Sequence, residues 1–567
     1  MSWRNDIRVV VGLDFGTTYS GFTYCHVSDK QNICTNDIWP GEMAQLKTNT
    51  VLQYDDKLEK ISDWGLPALS KRPNRKKINK NDSKPVELFK LHLGNLQDHL
   101  KPKLTVEYKK AITDYLREIG NLIKDTVTTT WSGIDYSKNV MLVLTVPAEY
   151  SDKAKAIMRE CALNAGLLSD KLSEKLQFTT EPEAAAIYCM DSSLKEHDLA
   201  VSGTTFMIVD CGGGTVDLTT QKLEDEKQLG EITERAGDYC GSTFIDKEFV
   251  KYLRDKLGNN VIDLLEEKHY GQMQYMIQEF CRNAKLPFTG DDVNFHYEMD
   301  LEEVLPDLLQ YVKDDVKEAL EEVEWMIKLD YKAIKSMFDP IVERILRMIR
   351  TQLDNSRETC SAIFLVGGFS QSKYLQKRIK EEFNECVENI SVPSNPIAAI
   401  SRGAAIYGIS LYNADNYSPD GMKCIISSRV LKFTYGIKTA SKWKKGDPKE
   451  RRTFDGHIHR FSCVAKRGTK TLVDKEIVID HLTPQYPFQT VGIFQIYYTR
   501  EYEAKFCDEN GMELLGTLKI DLPDLHLGCN RPVAFGLKFG SMEITATARN
   551  DTNGQNYQTT FEIDTEN

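Results

Sequence analysis

The chain has 567 residues, 41% of them hydrophobic and 28% charged, with a net charge of -12. That is an ordinary composition for a water-soluble protein, long enough for about three to five folding units. The acidic balance argues against a nucleic-acid-binding surface, which would carry a basic excess. No run reaches the roughly 18 apolar residues that a membrane helix needs, so no membrane partner is expected. Thirteen cysteines include no Cys-x-x-Cys pair. They read as reduced thiols in a cytoplasmic protein, not as a zinc ribbon or redox motif. The opening Met1-Ser2-Trp3-Arg4-Asn5-Asp6 is no signal peptide.

In chain order, the first element is an apolar strand ending in an acid and a small-residue turn: Val9-Val10-Val11-Gly12-Leu13-Asp14, then Gly16-Thr17-Thr18. A polar insertion follows over about 50–125. Within it the dense basic run Lys71, Arg72, Arg75, Lys76 and Lys77 reads as a solvated loop. A buried strand over Val140 to Val146 is broken by Pro147 and leads into a helix from about Ser151 to Ala165. Glu181-Pro182-Glu183-Ala184-Ala185-Ala186 then opens a small-residue helix, its proline suited to the first turn.

The same three segments return in the same order. Phe206 to Asp210 is again an apolar strand ending in an acid, followed by Gly212-Gly213-Gly214-Thr215. After an insertion over about 245–330, helical in texture as at Leu308 to Ile327, Ile363 to Val366 is broken by Gly367-Gly368. A helix is expected from about Ser372 to Phe383, and Asn395-Pro396-Ile397-Ala398-Ala399 opens a last small-residue helix. Three matching segments in matching order predict a duplicated α/β domain over 1–410, with a first lobe at 1–200 and a second at 201–410. Polar, turn-rich residues mark a linker at 411–423. Residues 424–567 alternate apolar and polar over short runs such as Val491 to Tyr497 and Met542 to Ala548, with turns at Asn510-Gly511 and Asn553-Gly554. They predict an all-β sandwich with no helical segment after it.

Consecutive backbone N–H groups in a glycine/threonine turn form a concave nest for phosphate oxygens. Two such turns facing each other would grip a polyphosphate. Asp14 and Asp210 each end an apolar strand, and a buried carboxylate needs a partner. Magnesium held partly through water is the natural one beside phosphates, and Thr17, Thr18 and Thr215 add hydroxyls.

The run Val11-Gly12-Leu13-Asp14-Phe15-Gly16-Thr17-Thr18-Tyr19-Ser20 resembles the first phosphate motif of the 70-kilodalton heat-shock protein family. Val209-Asp210-Cys211-Gly212-Gly213-Gly214-Thr215 resembles its second, and Phe364-Leu365-Val366-Gly367-Gly368-Phe369-Ser370 its adenosine motif. Thr145-Val146-Pro147-Ala148 and Thr180 to Ala186 resemble its connecting segments. The likeness covers roughly 7–410 and, more weakly, the β tail. It is nearest to the atypical, lidless branch named heat shock 70 kilodalton protein twelve.

The resemblance implies a duplicated actin-like (ribonuclease-H-like) ATPase fold that binds ATP or ADP with magnesium. Asp14 and Asp210 would hold the metal through water, with Lys90 and Glu181 as further catalytic residues, Glu181 acting on the attacking water. Gly16, Thr17, Thr18, Tyr19, Gly212, Gly213, Gly214, Thr215, Gly241, Ser242, Lys285, Gly367, Gly368 and Phe369 would contact the nucleotide. An unfolded or extended polypeptide would be the client of the β region. Three departures stand out. Arg282 replaces a glutamate, while Leu286 and Gln371 replace the two arginines between which the family packs adenine. The linker lacks the family's leucine-rich segment, so weak coupling between nucleotide and β region is expected. Three functions are compatible with this reading: a slow ATPase with chaperone-like action, a nucleotide-gated interaction protein with little hydrolysis, and a sugar kinase on the same fold. The β tail argues against the last.

Overall fold

A computed structural model describes residues 3–69, 84–94, 96–148, 150–171, 173–225, 228–415, 426–472, 475–539 and 544–560. The basic run at 71–77 and most of the expected linker lie outside them. Two compact units emerge. The first gathers Met1–Glu149, Met158–Thr220 and Ala236–Met422; the second gathers Tyr150–Ile157, Gln221–Arg235 and Lys423–Asn567.

Two mixed sheets form the base of the first unit. In one, the order is Leu176–Thr180, Val140–Val146, Val9–Phe15, Tyr19–His26 and Cys34–Thr35, with Thr48–Asn49 also on Tyr19–His26. In the other, Asn389–Ser391, Ala362–Val366 and Thr205–Cys211 are followed by the strand that begins at Val216, on which Ala236–Asp238 pairs. The orders correspond strand for strand. Each acid-bearing strand has two parallel strands on one side and a hairpin partner on the other. Val9–Phe15 and Thr205–Cys211 are buried at every residue, as their unbroken apolar runs require of strands covered on both faces. Asp14 and Asp210 therefore emerge at strand ends, Asp14 opposite Gly21 and Asp210 opposite Val366.

Helices Glu181–Asp191 and Ala399–Asp415 lie together against the first sheet. Small residues let them close in. A Cβ on Gly403 would meet the Ala184 carbonyl carbon at 2.5 Å, and one on Gly12 would meet the Ser401 carbonyl oxygen at 2.3 Å. The first helix opens as expected, with Thr180 as N-cap, a capping box with Glu183, and Pro182 in the first turn. The expected counterpart differs. Pro396 is not in a helical first turn; the helix begins at Ala399, and the Pro396 carbonyl accepts from the Gly367 N–H at 3.0 Å. That bond ties the proline to the glycine turn instead.

The first insertion carries a small sheet of Ile61–Trp64, Val51–Tyr54 and Val86–Glu87 under the helix Tyr108–Thr130. The second begins with helices Thr243–Leu257, Asn259–Lys268 and Tyr270–Phe280. Its expected helical run at Leu308 to Ile327 is not one helix. Asp314–Glu322 ends where Glu324 and Trp325 take left-handed backbone conformations, the Trp325 N–H returns to the Leu320 carbonyl, and Met326–Asp330 continues as a strand. The linker expected from 411 also starts later, because the helix runs on to Asp415.

The second unit holds two four-stranded antiparallel sheets. One has the order His457–Ala465, Thr434–Lys442, Val491–Thr499, Met512–Asp521; the other Glu476–Leu482, Val533–Lys538, Thr545–Asn550, Asn556–Thr560. Their inner faces share a core that includes Ile437, Ile496, Leu518, Phe535, Leu537 and Ala546. Residues 221–235, which lie in the second lobe by chain order, belong to this unit. Leu229 pairs in parallel with Ile426, Arg467 bridges to Glu234 at 2.8 Å, and Lys470 bridges to Glu224 at 2.6 Å.

Candidate functional site

A cavity of about 890 Å³ runs through the first unit, walled by both glycine/threonine turns and by both insertions. Gly16, Thr17, Thr18 and Tyr19 line it from the first turn, and Gly212, Gly213, Gly214 and Thr215 from the second. The turns face one another. A Cβ on Gly213 would lie 2.9 Å from Cβ of Thr18, and one on Gly214 would lie 3.0 Å from Cγ2 of Thr17. The second turn is held from behind: Ser242 N–H donates to the Gly212 carbonyl at 3.1 Å, and Thr243 donates to the Gly213 carbonyl through both N–H and hydroxyl. Gly241 supports this turn and does not line the cavity. Its Cβ would meet the Gly213 carbonyl oxygen at 2.4 Å, so only glycine allows that approach.

Three buried carboxylates share the floor. Asp14, Asp210 and Glu181 are 1%, 3% and 7% exposed, and all three line the cavity. Lys47 Nζ donates to Asp14 Oδ2 at 2.5 Å, and Lys90 Nζ donates to Glu181 Oε1 at 2.6 Å. Asp210 Oδ1 has no hydrogen-bond partner among the described residues. A Cβ on Gly367, which has a φ of +82°, would lie 2.5 Å from that oxygen. Burial, then the charges of Glu181, Asp217 and Asp14, push the Asp210 carboxyl well above the usual range, against a smaller opposing pull from Lys47. Burial also raises Glu181, opposed by Lys90 and reinforced by Asp14. Burial alone would depress the Lys47 ammonium; Asp14 beside it, with Asp210 and Glu181, raises it instead.

An orphaned, buried Asp210 oxygen beside a carboxylate and a phosphate-type turn fits a divalent cation. Among the described residues no group of three His, Cys, Asp or Glu side chains converges on one point. Asp14 and Asp210 are the two carboxylates that could hold such an ion here.

At the other end of the site, Lys285 lines the cavity and is anchored at 2.7 Å both to the Ser242 carbonyl and to Asp246. Gly367 and Gly368 line it too, and a Cβ on Gly368 would meet nothing within 4 Å. Phe369 lies along the wall as well, 5% exposed and packed into the core of the second lobe. Arg282 turns to Glu279 at 2.7 Å and is not on the wall, whereas Leu286, 54% exposed, and Gln371 are. Any base bound here meets an aliphatic and an amide side chain.

Lys90, expected as a catalytic lysine, is 2% exposed, pairs with Glu181 and does not itself line the cavity. Lys47, which no motif marks, does line it. Leu46-Lys47-Thr48-Asn49-Thr50 looks like any polar stretch leading into an insertion. Only the pairing of Thr48–Asn49 with Tyr19 and Ser20 brings it to the first turn.

A cleft lined by two such turns on two like-ordered sheets defines the actin-like ATPase class. Residues 125–470, more than half of the chain, match the family model described as Hsp70 protein, and the chain belongs to the Hsp70 family. It is 26% identical to human heat shock 70 kDa protein 12A over 97% of this chain and 90% of that protein. It is 24% identical to human heat shock 70 kDa protein 12B, over 95% and 89%. Chaperone protein DnaK of Thermosipho africanus is 23% identical over 76% of this chain and 64% of its own length. The resemblance read from the motifs, including that to the protein twelve branch, is borne out. Among the described residues no helix is long and apolar enough to cross a membrane.

Proposed function

We propose that this chain binds ATP with magnesium between the two glycine/threonine turns, hydrolyses it slowly, and acts as a chaperone-like protein. The observation that carries the reading is the opposition of Thr17 and Thr18 to Gly213 and Gly214 across one cavity floored by three buried carboxylates. Backbone N–H groups of the turns receive the phosphates, and the threonine hydroxyls add donors. Phosphoryl transfer to water depends mainly on positioning and charge neutralisation, which this floor is built to supply. Asp14 and Asp210 would hold magnesium through water, and the metal would supply positive charge to the phosphates. Glu181 orients the attacking water and takes its proton as the new bond to phosphorus forms and ADP leaves. Its raised carboxyl pKa makes it a better base near neutral pH. Lys90 keeps Glu181 charged and aimed, through the 2.6 Å ion pair. The free thiols of the described cysteines accord with a cytoplasmic setting.

The second unit is the candidate seat for an extended polypeptide client. It exposes Val478, Val491 and Ile493 on its strands, the last 56% exposed. Single-turnover ATP hydrolysis by the purified protein, with and without an unfolded polypeptide, tests the whole reading. Turnover that the polypeptide alters supports it. Absence of ATP binding in the presence of magnesium overturns it, and binding without turnover reduces it to a nucleotide-gated interaction protein.

A further inference from the structure

Lys47 has a place made for it. Thr48–Asn49 pairs with Ser20 and Tyr19, and the Thr50 N–H donates to the Thr18 carbonyl at 2.8 Å. This segment is therefore stitched onto the first glycine/threonine turn. Gly21, the residue opposite Asp14, makes room for the lysine stem: a Cβ there would stand 2.8 Å from Cγ of Lys47 and 2.6 Å from the Leu46 carbonyl oxygen. The stem runs past Gly21 and delivers Nζ to Asp14 Oδ2 at 2.5 Å, with the side chain still 12% exposed on the cavity wall. Of the two lysines paired with floor carboxylates, Lys47 reaches the wall and Lys90 does not.

A polyphosphate entering this cavity meets three carboxylates, so positive charge at the floor decides whether it binds. We propose that Lys47 is a resident cation of the nucleotide site: its ammonium contacts phosphate oxygens from the Asp14 side and supplies part of the charge otherwise supplied by magnesium. Nucleotide binding then persists when divalent cations are removed. An ammonium also differs from a metal in reach. It is tethered by four methylene groups and has three donors, so it can hold Asp14 and a phosphate oxygen together.

The inference rests on the proposed nucleotide binding, and the test separates the two. ATP affinity of the full chain is measured by calorimetry in magnesium and in EDTA for the wild type, Lys47→Met and Lys47→Arg, with thermal melts as a check of folding. The wild type should lose no more than about tenfold in EDTA, whereas Lys47→Met should lose about a hundredfold or more and Lys47→Arg should stay near the wild type. A wild type that binds in magnesium and not at all in EDTA overturns the role of Lys47 and leaves nucleotide binding standing. So does a Lys47→Met protein with the wild-type ratio of affinities. If Lys47→Met does not fold, the wild-type and Lys47→Arg ratios decide alone. A wild type that binds in neither condition overturns both readings.

Discussion

Gly213 and Thr18 meet where the two turns oppose: a Cβ at position 213 would lie 2.9 Å from Cβ of Thr18. No side chain fits there without moving one turn. Gly213→Ala should therefore leave the fold intact and weaken ATP binding by at least about tenfold, roughly 1.4 kcal/mol. Adding Thr18→Gly, which clears the space, should recover part of the loss, read as a positive coupling in a double-mutant cycle by calorimetry.

Asp14 and Asp210 should behave oppositely towards folding and alike towards ligand. Asp14→Asn strands the half-buried Lys47 ammonium and should lower stability by about 1–3 kcal/mol. Asp210→Asn removes a carboxyl with an unpartnered buried oxygen and should leave the melting temperature unchanged or higher. Both should weaken magnesium-dependent ATP binding. Unchanged affinity in both variants would show that the metal sits elsewhere.

Lys90 acts through Glu181. Lys90→Ala and Glu181→Ala should each slow the chemical step by roughly 100-fold or more, while ATP still binds. Because the pair is buried, each single change should also cost stability on the order of 3 kcal/mol, and Lys90→Met with Glu181→Gln less than the sum. Single-turnover rates together with melts of the four proteins check this. Wild-type turnover in Lys90→Ala would remove the lysine from the mechanism.

Glu87, on the cavity wall, is pushed up to about 7 by burial, against a smaller pull from Lys84. An acid raised in the folded state contributes stability that is present below its unfolded value and is lost as pH rises through the folded one. The protein should thus lose stability between about pH 4.5 and 7.5, by about 2 kcal/mol after allowing for the water on the cavity side. Glu87→Gln should flatten that stretch of the curve. Melting temperatures of both proteins across this range decide it, and parallel curves would count against it.

Arg531 is fully buried in the second unit and bonds to five carbonyl oxygens. They belong to Gly528, Gln489, Leu522, Pro523 and Pro487, at 2.7 to 2.9 Å. A planar fork with five donors fits this ring and an ammonium with three does not. Arg531→Lys should lower the stability of this unit by about 2–4 kcal/mol, and Arg531→Met by at least as much. Denaturant unfolding followed by a probe in the β unit measures the loss; a change below about 0.5 kcal/mol would mean that water replaces the lost donors.

Much of this protein was legible in local residue order. Val9 to Asp14 and Phe206 to Asp210 announce buried strands that end in acids, because strands covered on both faces need unbroken apolar runs and a carboxylate can emerge only where the run stops. The glycine/threonine turns and the Thr180–Pro182–Glu183 helix start are equally local, since a nest or a cap is formed by neighbours in sequence. What local order could not supply was every partnership across the chain. Lys47 reaches Asp14 only because Thr48 and Asn49 pair with Ser20 and Tyr19, and Lys90 meets Glu181 across 91 positions of chain. Residues 221–235 join the β unit because Leu229 finds Ile426, and an alternating strand carries no mark of which edge it will pair with. Local order determined the two glycine/threonine turns and the acids beside them; the long-range pairing of strands decided that the Lys47 ammonium stands against Asp14.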